Sequence, residues 1–234
     1  AMEPGWKARE SGMTAAASPG HRRRERLTQA RLYLCTADRP DLGQFVRDVC
    51  SSGVDVVQLR DKHLEARQLL ERAALARDAA HEHGALFVLN DRPDLALACG
   101  ADGVHLGQDD APVALCRSVL GPDALIGLST HAPVELDGAM DEPVDYVSVG
   151  PVQPTPTKPG RPGTGLDYVT HATRMLAGRL PFFVTGGIDP STLPDVASAG
   201  AGRFVVVRAL TEAAHPAAAP RLLRAMIDAL DDPP

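Results

Sequence analysis

The chain has 234 residues, 44% of them hydrophobic but only 4% aromatic, and a formal net charge of −6. That length allows one large or two small domains, with a core built from Val, Leu, Ile and Ala. An acidic chain lacks the basic footprint of a general nucleic-acid binder, and no apolar run approaches the ~18 residues of a membrane span.

Residues 1–28 read as a separate, poorly ordered extension rich in Ala, Gly, Ser, Pro and Arg, ending in the basic run Arg22–Arg26. Residues 29–234 read as the folded domain. From Arg31 onward, short apolar runs recur at about 31–36, 55–60, 86–90, 103–107, 125–129, 145–150, 182–186 and 203–207. Runs of this kind separated by helical patterns are the mark of buried parallel strands. The clearest intervening helix carries Ala66, Leu69, Leu70, Ala73 and Ala74 on one face, opposite Arg67, Gln68, Glu71 and Arg72, with Gly84 as its stop. A last helix is expected at about 216–230. Eight strand–helix units predict an α/β fold, a single closed (β/α)8 TIM barrel. A doubly wound open sheet would usually carry a GxGxxG turn after its first strand, and Cys35-Thr36-Ala37-Asp38-Arg39-Pro40 lacks it.

In a closed parallel barrel the carboxyl ends of all strands meet at one mouth. Polar residues follow the apolar runs here repeatedly. Gln58, Arg60 and Lys62 end the second strand, where Arg can grip phosphate as a fork and Lys as a point charge, or both can be solvated beside Asp61. Asp91 and Asp110 follow the third and fourth strands, beside Asn90 and Gln108. An Asp after a strand is commonly a helix cap; two on neighbouring loops, near cationic residues, also describe a Mg2+ site completed by water and phosphate oxygens. Ser129 follows the fifth strand with no Ser–His–Asp spacing around it, and His105 and His131 lie close by, each compatible with a structural role. The Pro/Gly-rich stretch 150–165 separates no domains and so reads as a substrate-covering loop. Thr185-Gly186-Gly187, with Asp189-Pro190-Ser191 opening the next helix, falls where barrels build their phosphate site from backbone N–H groups.

The four cysteines, Cys35, Cys50, Cys99 and Cys116, form no CxxC pair and read as reduced, mostly buried thiols, which with no apolar leader suggests a cytoplasmic protein.

The motifs Gln58-Leu59-Arg60-Asp61-Lys62, Asn90-Asp91, Gly107-Gln108-Asp109-Asp110, Gly127-Leu128-Ser129, Pro154-Thr155-Pro156-Thr157-Lys158 and Thr185-Gly186-Gly187-Ile188, in this order, resemble the thiamine phosphate synthase family over about Leu32 to Leu210. The resemblance implies an enzyme, a transferase that joins hydroxymethylpyrimidine diphosphate to a thiazole phosphate and releases pyrophosphate. It implies Mg2+ on Asp91 and Asp110. It further implies that the diphosphate substrate meets Gln58–Lys62, Asn90, Ser129 and Lys158, with Arg60, Lys62, Ser129 and Lys158 nearest the chemistry. Thr155, Pro156, Thr157, Gly187, Val207 and Arg208 are implied on the thiazole phosphate side. Departures are Gln153, where the family often has an aromatic or aliphatic residue, and Val207-Arg208-Ala209-Leu210 where a Ser-Ala-Ile-like end is common. Arg208 either binds the phosphate or turns into a surface ion pair. A thiazole tautomerase, working through a histidine, and a catalytically silent sensor barrel are the competing readings. Small-molecule partners are implied, not nucleic acid or membrane, and a homo-oligomer is left open.

Overall fold

A computed structural model of the chain describes residues 17–155 and 162–230. Eight parallel strands close into a barrel in sequence order, β1 (Leu32–Thr36), β2 (Val56–Leu59), β3 (Leu86–Asn90), β4 (Gly103–Leu106), β5 (Leu125–Thr130), β6 (Tyr146–Val149), β7 (Phe182–Val184) and β8 (Phe204–Val206). The ring is completed by β1 pairing with β8, Tyr33 opposite Val205. Helices α2 (Leu42–Cys50), α3 (Ala66–Glu82), α4 (Pro93–Cys99), α5 (Val113–Leu120), α6 (Pro133–Ala139), α7 (Gly165–Leu176) and α8 (Leu193–Ser198) link successive strands, and α9 (Arg208–Thr211) and α10 (Ala218–Asp228) follow the last. The expected helix at Asp189–Ser191 begins later, at Leu193, because the Asp189 carboxylate accepts the N–H groups of Ser191 and Thr192 and folds that stretch into a turn. Among the described residues no helix is long and apolar enough to cross a membrane.

Strand side chains divide by period two into two cores. Outward residues such as Leu32, Leu34, Val57, Leu59, Phe87 and Leu89 pack under the helices. Inward residues, among them Tyr33, Cys35, Val56, Leu86, Val88, Leu125, Tyr146 and Phe183, fill the barrel itself. Tyr33, Tyr146 and Phe183 supply most of that bulk as edge-on and tilted rings, their centroids 5.3–6.1 Å apart. Gly127 makes this packing fit: a Cβ there would stand 2.5 Å from the Tyr146 Cε1 and hydroxyl.

The amino-terminal expectation needs correction over its last third. Helix α1 (Pro19–Gln29) covers residues expected in the poorly ordered extension. Ser18 caps it, accepting the His21 N–H at 3.1 Å, and Pro19 occupies its first turn. Leu27 enters the interior core, while Arg23 and Arg24 pair with Asp102 (2.9 Å) and Asp145 (2.6 Å). The basic run is therefore a set of long-range anchors at the amino end of the barrel. Those carboxylates belong to a repeated device. Asp55, Asp102 and Asp145 precede β2, β4 and β6, and each accepts a backbone N–H at the start of the preceding odd strand: Leu32, Phe87 and Ile126, at 2.8–2.9 Å. Residues 1–16 lie outside the described region.

Candidate active site

At the carboxyl ends of the strands lies a cavity of about 430 Å3. Of the residues expected to act there, Gln58, Arg60, Asn90, Ser129, Thr155, Gly187, Val207 and Arg208 line it. Pro156, Thr157 and Lys158 lie outside the described residues. Leu59 packs its side chain into the outer core, which leaves only its backbone for a ligand. Asp61 is drawn into local structure. Its carboxylate accepts the N–H groups of His63 (2.9 Å), Leu64 (3.1 Å) and Asp38 (3.2 Å). Burial pushes its pKa up, but these bonds outweigh that and hold it below the usual carboxylate range.

The two carboxylates expected to bind metal do meet. Asp91 and Asp110 face each other closely enough for each carboxylate to disfavour charge on the other. Burial, then the approach of Asp110, raises the Asp91 pKa, and Lys62 partly opposes the rise. The Lys62 ammonium stands 3.0 Å from Asp91, with the lysine 54% and the aspartate 20% exposed; Asp91 follows the cavity-lining Asn90, while Lys62, Asp91 and Asp110 do not themselves line the cavity. Asp91 adopts φ 62°, a left-handed conformation rare for a residue with a side chain, and its own N–H donates to the His105 carbonyl at 2.9 Å. Asp110 is fixed by the Gly107 N–H at 2.6 Å. Among the described residues no group of three or more His, Cys, Asp or Glu gathers to hold a metal.

Four strands away around the ring, the β7 and β8 ends form the opposite wall, with Gly186, Gly187, Ile188, Val207, Arg208 and Ala209 facing the cavity. Gly186 (φ 99°) and Gly187 (φ 74°) take conformations that favour glycine. A Cβ on Gly186 would meet Val152 N at 2.6 Å, and one on Gly187 would meet Gln153 Oε1 at 2.9 Å. The pair thus serves two needs, a bare backbone toward the cavity and room for the loop after β6. That loop is tied down by the Val152 N–H to the Thr185 carbonyl (2.8 Å) and the Gln153 N–H to the Gly186 carbonyl (3.3 Å). Arg208 faces the cavity and, like Arg60, forms no ion pair among the described residues.

Sequence reasoning missed the floor. Tyr33, Cys35 and Ser148 line the cavity beneath the expected residues, with Tyr146 fully buried behind them, and His105, expected near the mouth, lines it too. His105 meets Tyr146 OH through Nδ1 (3.1 Å) and Ser129 Oγ through Nε2 (2.9 Å). His131 also lines the cavity, its Nδ1 2.8 Å from Glu135. The available signal was alternation: Tyr33 and Cys35, or Tyr146 and Ser148, are inward positions two apart on one strand.

A (β/α)8 barrel with a pair of facing carboxylates beside its mouth and a glycine-lined wall with an arginine opposite defines an enzyme-type site. A profile of the thiamine monophosphate synthase family matches residues 32–210, and the chain belongs to that family. It is 49% identical over 217 residues to the thiamine-phosphate synthase of Mycolicibacterium smegmatis, covering 88% of this chain and 95% of that protein. The Gloeobacter violaceus protein of the same name is 49% identical over 211 residues, 90% of this chain but 61% of that longer protein. Among solved structures, thiamine phosphate pyrophosphorylase from Pyrococcus furiosus superposes with a TM-score of 0.79 at 28% identity, covering 89% of this chain and 99% of that one.

Proposed function

We propose that the chain is a thiamine phosphate synthase: it joins hydroxymethylpyrimidine diphosphate to hydroxyethylthiazole phosphate, or its carboxylated tautomer, and releases pyrophosphate. The observation that carries this reading is the contact between Asp91 and Asp110 beside Lys62. Two carboxylates held facing each other fit a hard divalent cation, which would offset their mutual repulsion. Asp91 and Asp110 would hold Mg2+, which would supply charge neutralisation on the leaving group. Around it, Arg60 reaches the cavity with no competing carboxylate among the described residues, and Lys62 can pass from Asp91 to the diphosphate. Both stabilise the charge that grows on the diphosphate as the carbon–oxygen bond breaks. Gln58, Asn90 and Ser129 orient the pyrimidine diphosphate, and Gly187, Thr155 and Arg208 hold the thiazole phosphate on the opposite wall. The pyrimidine delocalises the positive charge left on its methylene, and the thiazole nitrogen captures it, so no protein nucleophile takes part. Pro156, Thr157 and Lys158 belong to the same proposal through the family motif, and the loop after β6 keeps water from the cation.

The tautomerase reading gains a cavity histidine in His131, but it gives the Asp91–Asp110 pair and Lys62 nothing to do. Four free, buried cysteines agree with a cytoplasmic location. The direct test is pyrophosphate release with pyrimidine diphosphate, thiazole phosphate and Mg2+, each omitted in turn. Release that needs all three, matched by thiamine phosphate, is expected; tight substrate binding without turnover would overturn the reading in favour of a sensor.

A further inference from the structure

A second cavity, of about 460 Å3, adjoins the catalytic one past the end of β1. Residues 36–41 and Thr211 line it alone, whereas Cys35, Arg60, Val207, Arg208 and Glu212 line both cavities and form the partition between them.

Most of the charge around this second cavity is already spent. Asp38 pairs with Arg72, and Arg39 pairs with Asp41 at 2.6 Å. The Arg39 guanidinium also donates to the Thr211 carbonyl at 3.3 Å and lies 3.9 Å over the Phe45 ring. Arg60, Arg208 and Glu212 are left, and their side chains form no ion pair or hydrogen bond among the described residues. The strand order brings the three together. Arg60 directly follows β2, Arg208 opens α9 after β8, and β1 stands between those two strands. The Arg60 N–H donates to the Thr36 carbonyl at 2.8 Å, which fixes it at the end of β1. Two strand spacings set the two arginine backbones roughly 10 Å apart, a span that two guanidinium forks and one tetrahedral oxyanion can bridge. Glu212 lies one turn beyond Arg208, its N–H donating to the Arg208 carbonyl at 2.9 Å.

Two unspent guanidinium groups and one unspent carboxylate do not suit every anion. A carboxylate only accepts, so it repels an oxyanion that has lost all its hydrogens and favours one that keeps a hydroxyl. Orthophosphate keeps at least one hydrogen near neutral pH, and sulfate keeps none. We propose that this cavity is a second anion site, selective for inorganic phosphate: Arg60 and Arg208 grip its bare oxygens, and Glu212 accepts from its P–OH. Because both arginines also face the catalytic cavity, an ion held here draws them away from it. The proposal stands on the charge and placement of these three residues and does not depend on the synthase reading.

The test is calorimetric titration of the full, substrate-free chain with orthophosphate and with sulfate near neutral pH. Orthophosphate should bind roughly ten-fold more tightly than sulfate, the worth of one hydrogen bond to a charged group. Glu212→Gln exchanges an acceptor oxygen for an amide that donates, and should abolish that preference by letting sulfate in. Thr211 lines this cavity and not the catalytic one, so Thr211→Trp fills it and should weaken phosphate binding by roughly ten-fold or more. Glu212 is exposed, so its variant keeps the fold whatever Thr211→Trp does. Equal affinity for the two ions in the parent protein overturns the proposal, as does a phosphate preference that survives Glu212→Gln. A folded Thr211→Trp protein with unchanged phosphate affinity also overturns it, by assigning the ion to the catalytic cavity alone.

Discussion

Gly127→Ala is the sharpest single probe of how the barrel interior supports the site. The added methyl would sit inside van der Waals contact of Tyr146 Cζ and 2.5 Å from Cε1 and the hydroxyl. Tyr146 has nowhere to go, since Tyr33, Phe183 and His105 surround its ring at centroid distances of 6.1, 5.7 and 5.5 Å. Overpacking a filled core costs about 1–3 kcal/mol. A displaced Tyr146 also loses its bonds to Tyr33 and His105, at about 1 kcal/mol each. The sum is about 3–5 kcal/mol, and for a chain of this size it lowers Tm by roughly 10 °C. Differential scanning calorimetry and urea unfolding measure it. Tyr146→Leu in the same chain vacates the space, so the double variant should be no less stable than Tyr146→Leu alone. A Gly127→Ala cost below about 1 kcal/mol, or costs of the two changes that simply add to within ~0.5 kcal/mol, would refute the reasoning.

Lys62→Met should lower kcat by roughly 10²-fold and raise KM for the pyrimidine diphosphate with little change in stability, since the lysine is half exposed; steady-state pyrophosphate release checks it. Asp110→Asn removes the like charge facing Asp91, so the Asp91 pKa falls toward the ordinary carboxylate range while the Mg2+ concentration for half-maximal turnover rises at least tenfold; 13C titration and a Mg2+ activity curve report the two effects. Gly186→Ala puts a Cβ 2.6 Å from Val152 N at φ 99° and should cost about 1–3 kcal/mol, together with a higher KM for the thiazole phosphate. Asp102 gives a pH prediction. Burial raises its pKa, but His81, the Phe87 N–H and Arg23 outweigh this and leave it depressed. A depressed folded-state pKa contributes stability that is present above the unfolded value near ~4 and is lost as pH falls through the folded one. Urea midpoints should therefore fall more steeply below about pH 4 in the parent protein than in Asp102→Asn; parallel curves would refute that balance.

The strands were legible because a parallel barrel buries both faces of each strand and so writes them as continuous apolar runs. The same property hid the floor of the site. Inside such runs, Tyr33 and Tyr146 read as core, and only the closed ring shows that they face each other across its interior at 3.0 Å between hydroxyls. Asp91 and Asp110 were legible as a pair because their loops are neighbours, whereas the Asp61 carboxylate looked the same in sequence and is consumed by three backbone N–H groups. Helix α1 was misread for a different reason. Its arginines resemble a solvated tail until Asp102 and Asp145, far along the chain, are folded against them. Its Ser18-Pro19 start was the local clue.

That helix lies upstream of residue 32, where the family profile begins, yet its Leu27 closes the interior and its arginines neutralise two largely buried carboxylates. Trimming the protein to the profile would therefore uncork the barrel and strand like-charged aspartates at its foot. The molecule divides its labour lengthwise: the amino end is a keel of Asp–Arg ballast, and the carboxyl end is free to specialise. Engineers who recast the mouth loops for other diphosphate esters should carry residues 18–30 along, because the tolerance they need at one pole is secured at the other.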